Sequence, residues 1–351
     1  MIRVGINGFG RIGRAVFRIN EIYPGYEIVA INDIDPNVDN HAYLLKYDTV
    51  YGRFSGDISS DTAAMAMEVN GKKVQIYSEK NINDVPWDKH GVDVVIDSSG
   101  VYRNVQLGRD LIKRKVVKKI IITFSPKDGV DNTIIFGVNE HQYNPADHHI
   151  ISTSICDSNA SGPVLKLLDD HFGIDYGFIT TLHPWLGYQN LVDGSLRSVS
   201  SPGHFWDDYA LGRASTESLI PKPTTLTNAL GKVAPSVATR LHAFSFRVPT
   251  SIVSSSDLTI KLNKVVTAED LNELFERESN GISSIMGFTR EQLVSIDFKG
   301  IRESLIVDGR WTTVLNENTV KLVLWYDNEW GYSNRVHDMA KLAGKTLSAV
   351  G

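Results

Sequence analysis

A lone cysteine and a histidine downstream of it have the spacing of a nucleophile and its base. Segment 150–164 runs from a predicted strand directly into a helix, so Cys156 lies just before a helix N-terminus, where the dipole and free amides stabilise a thiolate. The helix leads away and strand Gly177–Leu182 returns over a similar length, which brings His183 back to the level of Cys156. When a thiolate attacks an aldehyde, an imidazole there can transfer the hydroxyl proton and assist hydride departure. The alternative is that Cys156 is only a small, buried apolar residue, and composition alone favours that interpretation for a single cysteine.

A glycine pattern at the start of the chain predicts a dinucleotide site. Gly8, Gly10 and Gly13 form Gly-x-Gly-x-x-Gly directly after a predicted strand and before an amphipathic helix, where a pyrophosphate can approach the backbone closely. Asp33 ends the second strand about 20 residues later, and an acid there accepts from a ribose hydroxyl and repels a 2′-phosphate. The pattern therefore favours NAD over NADP. The alternative is that the glycines only make a tight turn and Asp33 is a solvated strand end.

The elements around these residues predict two domains. Residues 1–150 alternate short Val- and Ile-rich strands with helices, which indicates a Rossmann-type parallel sheet with a hairpin inserted at Asn70-Gly71. Residues 151–332 carry longer strands and few helices, which indicates an α+β catalytic domain with a mostly antiparallel sheet. The final amphipathic helix, within 333–351, is expected to return and complete the first domain. The predicted strands are Ile2–Ile6, Glu27–Asn32, Val92–Ile96, Ile120–Phe124, Gly177–Leu182, Ala243–Val248, Ser256–Leu262 and Val320–Tyr326, and the predicted helices are Val105–Arg114, Gly162–Phe172, Ala268–Arg277 and Ser333–Leu347.

Composition excludes several classes of protein. The chain has 351 residues, 42% of them hydrophobic, and its net charge of -5 lacks the basic excess of a nucleic-acid-binding surface. It has no apolar run long enough to span a membrane, and its single cysteine cannot form an intrachain disulfide or a zinc ribbon. His141, His148 and His149 lack further ligands at metal-binding spacing, so no metal site is predicted. We expect a soluble, cytoplasmic protein without nucleic-acid or membrane partners.

Three motifs in order resemble the glyceraldehyde-3-phosphate dehydrogenase family. Gly5–Arg14 resembles the family's opening, Arg247–Thr250 its substrate-domain signature, and Trp325–Arg335 its C-terminal signature. The resemblance implies a cysteine hemithioacetal that gives a hydride to NAD and leaves a thioester for an acceptor to cleave. It also implies a homotetramer, for which the amphipathic sheet face of the second domain is the sequence signal.

The resemblance assigns roles to residues of this chain. Cys156 matches the nucleophile, His183 the base, and Asn328 the residue that positions the nicotinamide amide. Thr224 and Arg247 match phosphate-contact positions, and Arg213 matches the family's loop arginine, a further candidate for binding an anion. The expected cofactor-binding residues are Asn7, Gly8, Gly10, Arg11, Ile12, Gly13, Asp33, Ser99, Thr123 and Asn328.

The chain departs from the family at the expected phosphate sites. Ile155 and Asp157 replace two hydroxyl side chains that help to hold the attacking inorganic phosphate. A carboxylate within ~5 Å of a dianion costs about 1–3 kcal/mol, and Asp157 also raises the pKa of a neighbouring thiol unless it is protonated or paired. Leu186 replaces a threonine that holds the substrate phosphate, and Thr225 replaces a glycine.

Three functional hypotheses follow from these residues. The leading hypothesis is NAD-dependent oxidation of a phosphorylated or otherwise acidic aldehyde through a Cys156 thioester, with glyceraldehyde 3-phosphate as the default substrate. The second is a non-phosphorylating dehydrogenase of another aldehyde, similar to erythrose-4-phosphate dehydrogenase, with water as the acyl acceptor. The third is a catalytically reduced NAD-binding protein that acts in regulation or assembly. A loop between Gln189 and Arg213, longer than the family's and carrying Arg197 and Trp206, is expected to reshape the pocket mouth, the cofactor neighbourhood or a subunit contact.

Overall fold

The chain forms two compact units. A computed structural model describes residues 1–195, 208–281 and 285–350. The first unit comprises residues 1–134, 141–154 and those from Ser333 onward, and the second comprises 135–140 and the described residues from Ile155 to Tyr332. The passage between them therefore comes four residues later than the predicted 150/151 boundary, because the strand at Ile150–Ser152 still pairs within the first sheet. Arg197 and Trp206 of the long loop lie outside the described residues.

The first unit is a twisted parallel sheet with helices and an antiparallel extension. Its sheet order is β10-β11-β9-β8-β1-β2-β7-β6-β5, parallel from β10 to β7 and antiparallel from β7 to β5. Asn70 and Gly71 both have positive φ (51° and 78°), as the tight hairpin turn between β6 and β7 requires. The predicted parallel sheet and its inserted hairpin are thus confirmed. The elements are β1 Arg3–Asn7, α1 Arg11–Ile22, β2 Glu27–Asn32, α2 Val38–Lys46, β3 Tyr47–Asp48, β4 Gly52–Arg53, β5 Ile58–Asp61, β6 Ala66–Val69, β7 Lys72–Tyr77, β8 Val94–Asp97, α3 Asn104–Lys113, β9 Lys119–Ile122, β10 Asn132–Thr133 and β11 Ile150–Ser152.

The second unit is a mixed sheet covered on one face by helices. Its sheet order is β13-β14-β12-β15-β19-β17-β16, with β18 also on β19, and the described pairings are antiparallel except for β12 with β14 and β16 with β17. The mostly antiparallel prediction is therefore confirmed. The elements are α4 Cys156–Phe172, β12 Ile174–Pro184, β13 Ile220–Pro223, α5 Leu226–Leu230, α6 Pro235–Ala238, β14 Leu241–Val248, β15 Ser254–Leu262, α7 Ala268–Gly281, β16 Met286–Thr289, β17 Leu305–Asp308, β18 Thr313–Leu315 and β19 Thr319–Tyr326.

The last helix, α8 (Trp330–Val350), buries one apolar stripe. Val336, Met339, Ala340 and Ala343 have no exposed surface, as their helical spacing predicts. A Cβ at Gly344 would lie 2.7 Å from the Ile2 side chain, so this glycine allows the helix to approach the first strand region closely. The helix thereby adds to the core of the first unit.

The largest difference between a predicted and an observed boundary is the start of α4. The sequence predicts a helix from Gly162, whereas α4 begins at Cys156 and contains Pro163 in its interior. Gly-Pro is a common pattern at a helix start, which is why the preceding turn is hard to predict. Cys156 is consequently the first residue of the helix rather than a residue before it.

Candidate active site

Two neighbouring parallel strands carry the candidate base and a buried cation side by side. His183 of β12 pairs with Arg247 of β14, and Arg247 pairs on its other side with Ile220 of β13. Because alternate residues of a strand share a face, Lys222 of β13 lies on the same face as His183 and Arg247. Sheet register therefore collects one imidazole and two cations at one end of the second unit.

A tight turn brings the cysteine to the front of α4. Ser154 has a left-handed φ of 62°, and Ile155 follows it as the helix N-cap in extended conformation. The Ser158 hydroxyl donates to the Ile155 carbonyl at 2.9 Å, and the Asn159 amide donates to the same carbonyl at 2.9 Å. These bonds secure the first turn of the helix, so Cys156 has a fixed position.

The cysteine and histidine lie within contact distance. Cys156 Sγ is 3.7 Å from His183 Nε2. His183 Nδ1 lies 2.8 Å from the Pro184 carbonyl oxygen, which can only accept, so Nδ1 carries the proton and Nε2 is left as an acceptor. His183 is thus oriented to receive a proton from the thiol.

The thiol is not stabilised as a thiolate, contrary to the prediction from its helix N-terminus. Burial raises the pKa of the Cys156 thiol well above its usual range, and the Asp157 carboxylate raises it further, which outweighs the opposing effect of Arg247. Burial and the neighbouring Arg247 lower the pKa of His183. At neutral pH the pair is therefore a thiol beside a neutral imidazole, and the nucleophile must be generated by proton transfer as it attacks.

Asp157 forms the anionic side of the site. It is 6% exposed, and its Oδ1 accepts from the Tyr326 hydroxyl at 2.9 Å and from the Cys156 thiol at 3.4 Å. Its Oδ2 accepts from the Thr224 hydroxyl at 3.3 Å. Burial and Asp157 raise the pKa of Tyr326, so its phenol keeps donating across the working pH range. The predicted effect of Asp157 on the thiol pKa is confirmed, and its hydroxyl partners show what holds it in place.

Arg247 and Lys222 form the cationic side. Arg247 is 7% exposed, its Nη2 lies 3.4 Å from the Tyr188 hydroxyl, and its buried Nε has no hydrogen-bond partner among the described residues. Burial and Arg247 lower the pKa of Lys222 to about 8. Within the described residues neither cation has a carboxylate at salt-bridge distance. Two such cations with an open donor suit an anionic ligand.

The remaining predicted substrate residues differ in their surroundings. The Thr224 hydroxyl is used by Asp157, and Ile155 caps α4 without offering a polar group. Arg213 is exposed and forms an ion pair with Asp193 at 2.9 Å, so it is not part of the Cys156 cluster. Its predicted role in anion binding stays a prediction, and in this conformation the ion pair would have to break.

The glycine turn leaves space on one side only. Gly8 has φ of 91°, and a Cβ there would lie 2.6 Å from the Ser99 backbone nitrogen; a Cβ at Gly13 would lie 2.3 Å from the Gly8 carbonyl oxygen. A Cβ at Gly10 would meet no protein atom within 4 Å. Gly10 is also the N-cap of α1 and contributes no side-chain cap, and the N-terminus of a helix attracts anions. A tight turn with open space at its central glycine fits an approaching pyrophosphate.

Polar residues around this turn form hydrogen bonds and an ion pair with other residues of the first unit. Asp33 Oδ2 accepts from the Phe9 amide at 2.6 Å, which ties the end of β2 to the glycine turn. The Asn7 side-chain amide donates a hydrogen bond to Asp97 at 2.8 Å and accepts one from Asn32 at 2.8 Å, and its predicted contact with a cofactor stays a prediction. Arg11 forms an ion pair with Asp48.

Two other predicted cofactor residues lie beside strand ends, one lies in α1, and one lies in the second unit. The Ser99 hydroxyl donates to the Asp97 carboxylate at 2.7 Å, and the Thr123 hydroxyl donates to the Asp97 carbonyl at 3.1 Å. Ile12 is partly buried in the first turn of α1. Asn328 is 6% exposed, and its buried Oδ1 has no hydrogen-bond partner among the described residues. An unpartnered amide oxygen fits the carboxamide N–H of a nicotinamide.

The only metal-like grouping in the described residues is the catalytic cluster itself. Ligand atoms of Cys156, Asp157 and His183 lie within 4.8 Å of one another. Tyr326, Thr224 and the thiol already donate to the Asp157 oxygens, so the arrangement is accounted for by hydrogen bonding. The cluster does not include His141, His148 or His149, the three histidines that the sequence analysis considered as metal ligands.

Comparison with known proteins identifies the family. The glyceraldehyde 3-phosphate dehydrogenase NAD binding domain matches residues 2–105, and the C-terminal domain of the same family matches residues 155–328. The chain belongs to the glyceraldehyde-3-phosphate dehydrogenase family. The predicted recognition, fold class, NAD cofactor and oxidoreductase chemistry on an aldehyde group are thereby confirmed at the level of the family.

Individual relatives match along nearly the whole chain. Glyceraldehyde-3-phosphate dehydrogenase 1 of Kluyveromyces marxianus is 39% identical over 342 residues, which is 97% of this chain and 99% of that protein. Glyceraldehyde-3-phosphate dehydrogenase 3 of Saccharomyces cerevisiae is 39% identical over 346 residues, covering 98% and 100%. Glyceraldehyde-3-phosphate dehydrogenase 1 of Bacillus cereus is 38% identical over 341 residues, covering 97% and 98%.

Several site residues escaped sequence analysis. Tyr326 is 169 positions from Asp157, and Lys222 lies between Pro221 and Pro223, a pattern more typical of a loop than of a strand facing a site. Tyr188 was likewise not predicted to contact Arg247. In the described part of the chain, none of the helices has the length and apolar composition that a membrane span demands.

Proposed function

We propose that this member of the glyceraldehyde-3-phosphate dehydrogenase family oxidises an anionic aldehyde through a thioester on Cys156. The observation that carries the proposal is the 3.7 Å approach of Cys156 Sγ to His183 Nε2, with the tautomer set by the Pro184 carbonyl. This geometry supplies both a nucleophile and a base. Glyceraldehyde 3-phosphate, named by the relatives, is the first substrate to test.

His183 moves the proton in each step. Nε2 takes the thiol proton as sulfur bonds to the aldehyde carbon, and returns it to the new alkoxide to give a hemithioacetal. It then removes the hydroxyl proton as the carbon gives up a hydride, which leaves a thioester. Bound NAD would accept the hydride, and the Gly8–Gly13 turn would hold its pyrophosphate.

Arg247 and Lys222 are proposed to bind the anionic end of the aldehyde. Arg247 offers a buried Nε without a partner, and Lys222 adds a second cation on the same sheet face. The pair compensates for Leu186, which stands where the family has a phosphate-binding threonine. A phosphate or carboxylate on the aldehyde would be recognised by charge rather than by hydroxyl groups.

Aldehyde screening with matched variants tests this proposal. Wild type is expected to form NADH with phosphorylated aldehydes, whereas Cys156→Ser and His183→Asn should lose at least about 100-fold in rate. His242→Asn is the control for His183→Asn, because His242 is an exposed histidine on the adjacent strand. Unchanged aldehyde oxidation by Cys156→Ser would overturn the proposal, and NAD binding without any turnover would favour the regulatory hypothesis.

A second candidate function is non-phosphorylating oxidation, with water as the acyl acceptor. Asp157 favours it, because a buried carboxylate hydrogen-bonded to the thiol would repel an attacking phosphate. Ile155 and Asp157 favour the same candidate, because they replace two hydroxyl side chains that would help to hold an attacking phosphate. NADH formation that depends strictly on inorganic phosphate would exclude this candidate.

We further propose a cytoplasmic homotetramer. The outer face of the second sheet exposes Tyr176, Phe178, Leu182 and Phe244, at 53%, 57%, 40% and 39%, which is a large apolar surface for a lone copy. A second copy of this chain is the occupant that the family resemblance favours. Light scattering is expected to give four chains per particle, and Phe178→Asp should lower that number; a monomeric wild type would contradict the proposal.

A further inference from the structure

We propose that Asp157 is a catalytic residue of the step that releases the product, where it acts as base toward water and then as acid toward Cys156. This inference rests on the proposed thioester chemistry and names the acyl acceptor of that same site as a neutral water molecule. It assigns to one carboxylate both the choice of acceptor and the return of a proton to sulfur.

The position of Asp157 suits both tasks. Its Oδ1 lies 3.4 Å from Cys156 Sγ, the atom that must leave when the thioester is cleaved. The Tyr326 hydroxyl at 2.9 Å fixes this oxygen. The Oδ2 atom has a single hydrogen bond among the described residues, a long one from Thr224 at 3.3 Å, and therefore keeps accepting capacity for a water.

The same arrangement disfavours a phosphate acceptor. The Thr224 hydroxyl, a predicted phosphate contact, donates to Asp157, and Ile155 offers no donor. A dianion entering here would face a carboxylate that is only 6% exposed and thus poorly screened. Water has no charge to repel and can donate directly to Oδ2.

The release step balances with groups on the chain. Water oxygen bonds to the thioester carbon as one of its protons passes to Asp157, which gives a tetrahedral intermediate. The carbon–sulfur bond then breaks, and Asp157 returns that proton to sulfur, so the thiol and the carboxylate are both restored. The acyl group leaves as a carboxylic acid, and the proton that His183 took during hydride transfer passes to solvent, so the imidazole is also restored; no oxidant is needed after NADH formation.

The high thiol pKa is consistent with this role. A sulfur in an environment that disfavours thiolate is a poor leaving group unless it is protonated as it departs. Asp157 lies at hydrogen-bond distance from that sulfur, so the residue that hinders thiolate formation also supplies the proton for departure. His183 serves the attack, and Asp157 serves the release.

Single-turnover and steady-state kinetics in phosphate-free buffer test the proposal on the full-length protein. Wild type should turn over without phosphate and place ¹⁸O from labelled water in the carboxylate product. Asp157→Asn should keep a burst of about one NADH per chain and then slow at least about 100-fold, with the acyl group visible on the intact protein by mass spectrometry. Tyr326→Phe, which removes the bond that fixes Oδ1, should show the same pattern more weakly.

Asp170→Asn is the matched control, because Asp170 is an exposed carboxylate at the other end of α4. Failure of the inference and failure of the proposed function have different signatures. A wild type that needs inorganic phosphate, or an Asp157→Asn variant that folds and turns over at the wild-type rate without phosphate, would overturn the role of Asp157. A wild type with no NADH burst would instead overturn the thioester function. If Asp157→Asn fails to fold, two other results decide. The inference stands if wild type places ¹⁸O from water in the product and Tyr326→Phe shows an NADH burst followed by slower turnover, and it fails if either is absent.

Discussion

The glycine turn of the first unit and the Cys156 cluster of the second are built on different principles. At the turn, backbone packing determines the shape: Cβ atoms at Gly8 and Gly13 would come within 2.6 Å and 2.3 Å of backbone atoms, and only Gly10 faces open space. At the cluster, side-chain charge dominates, with Asp157 on one side and Arg247 and Lys222 on the other. The turn tolerates little change, whereas the cluster can change its chemistry by substitution of single side chains.

This difference explains where the chain departs from its family. A site that depends on backbone shape keeps its glycine pattern, because a side chain at Gly8 or Gly13 would clash with the backbone and one at Gly10 would fill the space left for a ligand. A site that depends on charge can retain Cys156 and His183 while the residues around them alter the step that follows hydride transfer. The substitutions at Ile155 and Asp157 fall in the second kind of site.

The largest expected effect comes from filling the backbone-determined site. Gly8→Ala should destabilise the first unit by about 2–4 kcal/mol and abolish NAD binding, because it combines a positive φ with a clash against Ser99. Gly10→Ala should leave the melting temperature unchanged, since its Cβ meets no protein atom, yet still weaken NAD binding. Melting curves with and without NAD measure both effects. Equal melting temperatures for Gly8→Ala and Gly10→Ala would show that backbone packing does not determine the shape of the turn.

The next effect concerns the cationic side of the cluster. Arg247→Met should raise KM for a phosphorylated aldehyde by about 100-fold, because a buried charge-assisted hydrogen bond is lost. KM for an uncharged aldehyde should change little. Steady-state kinetics on this substrate pair provide the comparison, and an equal loss for both substrates would show that Arg247 supports the fold rather than the anion.

A smaller effect is expected at the thiol. Asp157→Asn removes a negative charge beside Cys156, so the thiol pKa should fall and alkylation by iodoacetamide at pH 7.5 should accelerate about 10-fold. The pH dependence of the alkylation rate gives the pKa of the Cys156 thiol as its midpoint, and Asp170→Asn is the control variant. A midpoint that does not move would mean that burial alone controls the thiol.

The smallest effect is a pH dependence of substrate binding. Lys222 has a pKa of about 8, so its charge is present below that pH and is lost as the pH rises through it. KM for an anionic aldehyde should therefore rise by about 5-fold between pH 7 and pH 9. Lys222→Arg should flatten this profile, because arginine stays charged. A profile that is the same in both proteins would exclude Lys222 from the anion site.

Sequence analysis was strongest where local pattern determines structure. The glycine turn, the Asn70-Gly71 hairpin and the return of His183 to Cys156 all follow from spacing along one or two elements. The helix start predicts a stabilised thiolate, whereas burial and the Asp157 carboxylate raise the pKa of the thiol, and burial is a tertiary property that a local pattern does not record. Tyr326 and Lys222 reach the cluster only through the pairing of strands distant in sequence, which no local pattern records.

If Cys156 carries the acyl group after hydride transfer, the added mass of that group can be measured on the protein. Asp157→Asn protein is mixed with NAD and a phosphorylated aldehyde, and the intact chain and its Cys156 peptide are weighed after one turnover. We predict about one NADH per chain and one acyl group on Cys156, with neither in Cys156→Ser. NADH formation without acylation of Cys156, or equal NADH formation by Cys156→Ser, would contradict the account.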